Sequence, residues 1–188
     1  GNIAHVTYGV KVINWLELFN LPYPTQRVLM KEFLDRYSNI KKIVVDSTGV
    51  GDAIIEEMVN EWDYADLIEP FIFSWMSKST LATIFYDLLY KHRIIIPANN
   101  ETRLSQSWQK FYTQLISLEK REVNGNIVLA KPDRANSFDD YPDSFFLALY
   151  AARGLIDRNE EIELGAWEQD SDNPTANMGL TKLRSYVN

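Results

Sequence analysis

Hydrophobic positions in this chain switch repeatedly between short continuous runs and the three-and-four spacing of an amphipathic helix. That switching predicts strands alternating with helices. Residues 3–19 carry Ile3, Val6, Tyr8, Val10, Val12, Ile13, Trp15, Leu16 and Phe19. Such β-branched and aromatic enrichment predicts one or two strands in a meander, with Gly9 near a bend. After the Pro22-Tyr23-Pro24 connector, Thr25 is placed to cap a helix with apolar positions at Val28, Leu29, Phe33 and Leu34. The run Ile43-Val44-Val45 stops at Asp46, passes through a Gly-rich turn, and resumes at helical spacing through Ile54, Ile55, Met58 and Val59 to about Glu61. This reads as a buried strand, a tight turn and a helix.

Leu67 to Phe73 predicts a short strand, which Pro70 assigns to a sheet edge. Ser77 or Ser79 is expected to cap a helix whose apolar face is Leu81, Ile84, Phe85, Leu88 and Leu89. Residues 93–97 predict a short strand closed by Pro97, and Asn99 or Asn100 begins a helix carrying Leu104, Trp108, Phe111, Leu115 and Leu118. Asn124-Gly125, with extended segments on both sides, is a hairpin signal. Phe145 to Ile156 is the last apolar helix. Residues 157–188 are acidic, polar and poor in aromatics, and predict a tail with a short helix around Leu180 to Tyr186. No internal repeat is visible. The element order predicts an α/β domain over residues 1–156 with a mixed sheet flanked by helices, the meander-first order expected of an RNase H-like sheet.

Composition narrows the chemistry. With 188 residues, 46% apolar and 24% charged, the chain is long enough to bury one core. No apolar run approaches the roughly 20 residues that cross a bilayer, so no membrane association is expected, and no signal-peptide pattern opens the sequence. The absence of cysteine excludes disulfides, thiol nucleophiles and Cys-based zinc sites, and two histidines, His5 and His92, argue against a His-rich metal site or a Ser-His-Asp triad. Metal chemistry here must use oxygen ligands. A net charge of −7 argues against wrapping nucleic acid by bulk electrostatics, while leaving a local patch open. Gly1 in place of an initiating methionine leads to the expectation that this is a piece of a longer chain.

Two acidic clusters remain to be explained. Asp46 closes a central strand, where α/β sheets expose reactive groups; its bland role is to cap the following helix, which Ser47 and Thr48 can do equally. Thr48-Gly49-Val50-Gly51 has no Gly-Lys-Ser/Thr, so a nucleoside triphosphate loop is unsupported. In Asp139-Asp140-Tyr141-Pro142-Asp143, acids in a first turn complement the helix dipole. Asp143, however, shares a face with Phe146, Leu147 and Tyr150 at offsets of three, four and seven, and a carboxylate on a core-facing stripe needs a partner or a metal. Asp140, three residues earlier, is expected to reach the same site, with Asp139 pointing further round as a cap. Glu56, Glu57 and Glu61 read as a solvated face, Asp52 as a dipole residue, and His92 as a helix terminator. Trp75, Trp108, Phe111 and Tyr112 read as core. Clustered carboxylates without His or Cys favour Mg²⁺ or Mn²⁺, and two such ions about 3.5–4 Å apart clamp the attacking and leaving oxygens of a phosphodiester.

Taken in order, these motifs resemble the nuclease domain of phage terminase large subunits. The run Ile43 to Ala53 resembles that family's second acidic strand, Phe71-Ile72-Phe73-Ser74 with Ser77-Lys78 its strand and serine–lysine turn, and Ile94-Ile95-Ile96-Pro97 its short strand. Asn124-Gly125 resembles its β-hairpin, and Asp139-Asp140-Tyr141-Pro142-Asp143-Ser144 its closing Asp-Asp-x-x-Asp helix start. The resemblance covers roughly residues 6–156. It implies an RNase H-like fold with a β-hairpin insertion and a Mg²⁺- or Mn²⁺-dependent endonuclease that cuts concatemeric double-stranded DNA with two metal ions. By the same resemblance Asp46, Asp140 and Asp143 are the catalytic metal ligands, Asp143 ahead of Asp140, and Lys78 is a DNA phosphate contact. The implied partners are the portal protein, the small terminase subunit and an ATPase motor domain, in host cytoplasm at the procapsid portal.

The family's first catalytic aspartate lies on a first strand, whereas this chain has none before Asp35, which sits in a predicted helix. The expectation is a fragment starting after that strand. A catalytically incomplete module that docks motor or portal partners, and a resolvase-like nuclease, are the competing readings of the same residues.

Overall fold

The computed structural model describes residues 9–48, 51–62, 64–96 and 99–157, apart from the side chains of residues 51–54, 100 and 157. Its elements are β1 (Val10–Lys11), α1 (Tyr23–Leu34), β2 (Ile43–Asp46), α2 (Gly51–Glu61), β3 (Ile68–Phe71), α3 (Trp75–Tyr90), β4 (Ile94–Ile95), α4 (Asn100–Leu104), α5 (Gln106–Ser117), β5 (Glu119–Val123), β6 (Asn126–Ala130) and α6 (Asp140–Asp157). A 3₁₀ turn at Ala65–Leu67 leads into β3. The chain is therefore mixed α/β. The predicted tail, the Pro97 stop and the bounds of any strand before residue 9 lie outside the described residues. No described helix is long and apolar enough to cross a membrane.

Strand pairing is more fragmentary than the sequence pattern suggests. Among the described residues the strands form three two-stranded ladders: β1 with β4 and β2 with β3, both parallel, and β5 with β6, antiparallel. The expected meander over residues 3–19 is not formed by residues 9–19. Val10 and Lys11 pair instead with Ile94 and Ile95, and the next stretch lies over α5, where Trp15 stacks on Phe111 at 5.6 Å and Glu17 pairs with Lys110. Gly9 stands just ahead of β1. A Cβ there would stand 2.8 Å from the Arg93 carbonyl oxygen, so glycine permits the close parallel approach of β1 to β4.

The β2–α2–β3 unit is the crossover that a parallel pair requires. Pro70 sits opposite Val45, exposed and lacking a donor, in a strand whose described partner is β2 alone, as its edge assignment predicts. The hairpin turns through Asn124 at φ 52° and Gly125 at φ 77°, the paired positive values of a type I′ turn.

Caps differ in detail from the sequence reading. Pro22, not Thr25, precedes α1, because Pro24 is accommodated in the first turn, where its missing N–H is not needed. Ser74 caps α3: its Oγ accepts from the Ser77 backbone N–H, and Ser77 Oγ accepts in return from the Ser74 N–H. Ser77 thus completes the box and does not itself start the helix. The helix expected from Asn99 to Leu118 is broken at Ser105, which ends α4 and caps α5 through Trp108 N–H. His92 ends α3 as expected, at φ 54°, with its N–H on the Leu89 carbonyl and Arg93 N–H on that of Leu88.

The core gathers Phe71, Leu81, Ile84, Leu88, Phe111, Phe145, Phe146, Leu147 and Leu149. The apolar stripe of α6 that includes Phe146 and Leu147 is buried as its spacing requires, each large side chain worth roughly 1.5–3 kcal/mol. Trp75 departs from the core reading, with 56% exposure, because it occupies the first turn of α3, ahead of the segment that meets the core at Leu81. Glu57 and Glu61 are not merely solvated; both pair with Arg27, and Glu57 also accepts from Tyr23, tying α2 to α1.

Candidate functional site

The carboxyl end of β2 forms one side of the site. Asp46, the last residue of that strand, is exposed, and its Oδ1 accepts the Thr48 N–H at 2.8 Å, which fixes the turn out of the strand. Thr48 Oγ1 accepts from Phe73 N–H at 3.0 Å, and the buried Ser47 donates its N–H to the Phe71 carbonyl at 2.9 Å. The two parallel strands are thereby held together just past their ends. Asp46 takes up the turn-forming role allowed by the bland reading, with one carboxylate oxygen engaged in it.

The start of α6 forms the opposite side. The Asp143 N–H donates to the Asp139 carbonyl at 2.8 Å, making Asp139 the residue that opens the helix. Asp143 lies one turn in, on the stripe that continues through Phe146 and Leu147, and its side chain is 23% exposed. Between the two elements comes Lys78, from the first turns of α3, its ammonium 5.1 Å from the centre of the Phe73 ring. The Lys78 ammonium is 3.4 Å from Asp143 Oδ2 and 3.7 Å from Asp139 Oδ2, while Lys131 reaches the other Asp139 oxygen at 3.6 Å.

Electrostatics at Asp143 follow from this arrangement. Burial pushes its carboxyl up from the ordinary 3.8 to about 6. The Lys78 ammonium opposes that rise, and the negative charges of Asp139 and then Asp46 reinforce it. α6 packs against β2, which brings the helix carrying Asp143 to the strand that Asp46 ends, and Asp46 is the least of these influences on Asp143. A half-buried carboxylate with a second one beside it is a position that favours added positive charge.

Asp140 is not part of this arrangement. It is exposed at the first position of α6, and the ion pairs at the site run from Lys78 and Lys131 to Asp139 and Asp143. The three-residue spacing from Asp140 to Asp143 is genuine helix geometry, but Asp139 precedes the helix and is not bound by that spacing. Asp139 is the site member that the sequence reading set aside as a cap. Lys131, just after β6, carried no motif that would have singled it out.

The donor set is all oxygen, which suits Mg²⁺ or Mn²⁺. Among the described residues no group of three His, Asp or Glu side chains is arranged to hold an ion by protein ligands alone. Asp46 and Asp143 fit the sparser pattern in which one or two carboxylates anchor a hydrated ion and substrate phosphate completes its shell. An ammonium already lies between Asp139 and Asp143, a chemical sign that this position accepts a cation. Comparison of the chain with protein-family models, curated proteins and solved structures found no match, so the terminase resemblance stands on its motifs alone.

Proposed function

We propose that this chain is the RNase H-like nuclease domain of a viral DNA-packaging terminase, a Mg²⁺- or Mn²⁺-dependent endonuclease that cuts concatemeric double-stranded DNA. The observation that carries the proposal is the packing of α6 on β2, which brings Asp143, on the buried stripe of the helix, to the strand that Asp46 ends. A partly buried carboxylate at such a junction, with Asp139 beside it on the same ammonium, is an arrangement that folding alone does not favour and that a cation relieves.

In this reading Asp46 and Asp143 hold the ion, and Asp139 supports the site through Lys78 and Lys131. A bound divalent ion supplies the charge that polarises a phosphoryl oxygen and lowers the pKa of water. Asp46 is fixed by its Thr48 bond, and the Ser74–Ser77 capping box holds the α3 turn that carries Lys78, so the ligating groups are oriented before DNA arrives. The motor domain, the small terminase subunit and the portal are the partners that this reading entails, with cutting at the procapsid portal in host cytoplasm.

Asp46→Asn, Asp143→Asn and Asp140→Asn, compared on linear duplex DNA in Mn²⁺, test the assignment. The first two variants lose cutting by about 100-fold or more, the scale expected for removal of a ligand that holds the catalytic charge, and Asp140→Asn retains it. Cutting retained in the first two variants overturns the proposal. Faster cutting of branched than of linear DNA would transfer the site to a resolvase-like enzyme. A docking module is favoured by one specific feature, the exposure of Ile72, Trp75 and Met76 (67%, 56% and 75%) beside the site, and it predicts no Mn²⁺ binding at all.

A further inference from the structure

Lys78 is placed unlike a lysine reaching from a surface for a polyanion. Its side chain is 24% exposed and its ammonium turns inward over the Phe73 ring, towards two carboxylates whose side chains are themselves only 18% and 23% exposed. Asp139 has a second cation, Lys131, at its other oxygen, whereas the ion pair recorded for Asp143 is with Lys78. The Ser74–Ser77 box fixes the start of the helix, so Lys78 enters the site from a rigid base.

We infer that Lys78 is the resident cation of this site, holding the Asp143 carboxylate that a divalent ion would share with Asp46, so that ion binding must displace the ammonium. The inference rests on the metal-centre reading above and adds its regulation. A divalent ion on Asp143 and an ammonium about 3.4 Å from the same carboxylate repel one another, and only one can hold the shared oxygen. In the ion-free protein Lys78 offsets the acidic charge. When the ion arrives, the long lysine stem swings the ammonium away from Asp143, into position for a phosphate oxygen. Lysine suits this exchange better than arginine, because a compact ammonium on a flexible stem has no bidentate hold on the carboxylate.

Mn²⁺ titration followed by electron paramagnetic resonance, on the full chain and its Lys78→Met, Asp46→Asn and Asp143→Asn variants, tests the inference. Methionine keeps an apolar stem over Phe73 and removes the charge. Lys78→Met binds Mn²⁺ about tenfold more tightly than the unaltered chain, the factor that one partly buried ion pair supplies. A second readout needs no variant: acetylation of Lys78 by an amine reagent, followed by mass spectrometry, rises when Mn²⁺ saturates the unaltered chain. Equal or weaker Mn²⁺ binding by Lys78→Met overturns the inference, and if that variant fails to fold, unchanged Lys78 acetylation overturns it alone. Where Mn²⁺ still binds the unaltered chain and is lost in Asp46→Asn, that failure leaves the metal-centre reading standing. Mn²⁺ binding indifferent to both aspartate variants, or absent from every form, overturns the metal-centre reading and the inference together.

Discussion

Replacing Asp143 with asparagine separates the charge of this carboxyl group from its shape. Its side chain is 23% exposed and its pKa stands at about 6 against an ordinary 3.8, with burial the largest cause and Lys78 only partly offsetting it. The folded protein therefore binds this proton more tightly than the unfolded chain does. Below about pH 4 both states are largely protonated and the group costs little. As pH rises through the window between 3.8 and about 6, the folded state must ionise a group it disfavours, and stability falls. Roughly two pH units at about 1.4 kcal/mol each come to about 3 kcal/mol lost by pH 8. Asparagine mimics the neutral form and avoids that loss. In chelator, Asp143→Asn is expected to melt close to the unaltered protein at pH 4 and about 6–12 °C above it at pH 8, given about 2–4 °C per kcal/mol for a chain of this size. Thermal unfolding by circular dichroism at half-unit pH steps measures the difference directly. A variant that melts at or below the unaltered protein at pH 8 refutes the reasoning, because attraction to Lys78 would then outweigh burial and the site would hold no excess of negative charge.

Two further predictions concern the scaffold around the site. Ser74→Ala removes the acceptor of the Ser77 N–H at the start of α3 and is expected to cost about 1 kcal/mol in urea denaturation, with an unchanged m-value. Gly9→Ala places a Cβ 2.8 Å from the Arg93 carbonyl oxygen, a backbone atom that cannot swing aside, so it is expected to cost about 1–3 kcal/mol and to speed amide exchange at Val10, whose N–H bonds that same carbonyl.

What the sequence made legible was set by local rules. Ile43 to Val45 ending at Asp46, the Asn124-Gly125 turn and the α6 stripe each follow from a short-range periodicity or a backbone requirement, and each forms at the expected place, although β2 is partly rather than fully buried and its described ladder partner is β3 alone, so it is not the central strand expected. Asp143 was identifiable because a carboxylate in register with Phe146 and Leu147 conflicts with the pattern around it. Asp139 was not, since its place depends on where α6 begins, and helix starts are poorly fixed by spacing. The same applies to α3, where Ser74, Ser77 and Ser79 all satisfy the capping preference and only the chain path selects Ser74. The absence of a meander within residues 9–19 and the break at Ser105 are tertiary choices. Residues 12–19 have a strand-like composition, but past Val12, which still bonds the Ile95 carbonyl, Trp15 and Glu17 turn to Phe111 and Lys110 of α5, and Ser105 competes with the helix backbone through its own hydroxyl.

The most direct test of the central claim is nicking of supercoiled plasmid by the full chain in Mn²⁺, with and without chelator, beside Asp46→Asn. A metal centre built on Asp46 and Asp143 predicts conversion to nicked and linear forms that chelator stops and Asp46→Asn lacks. Absence of cutting by the unaltered chain, or cutting that persists in chelator or in Asp46→Asn, would contradict it.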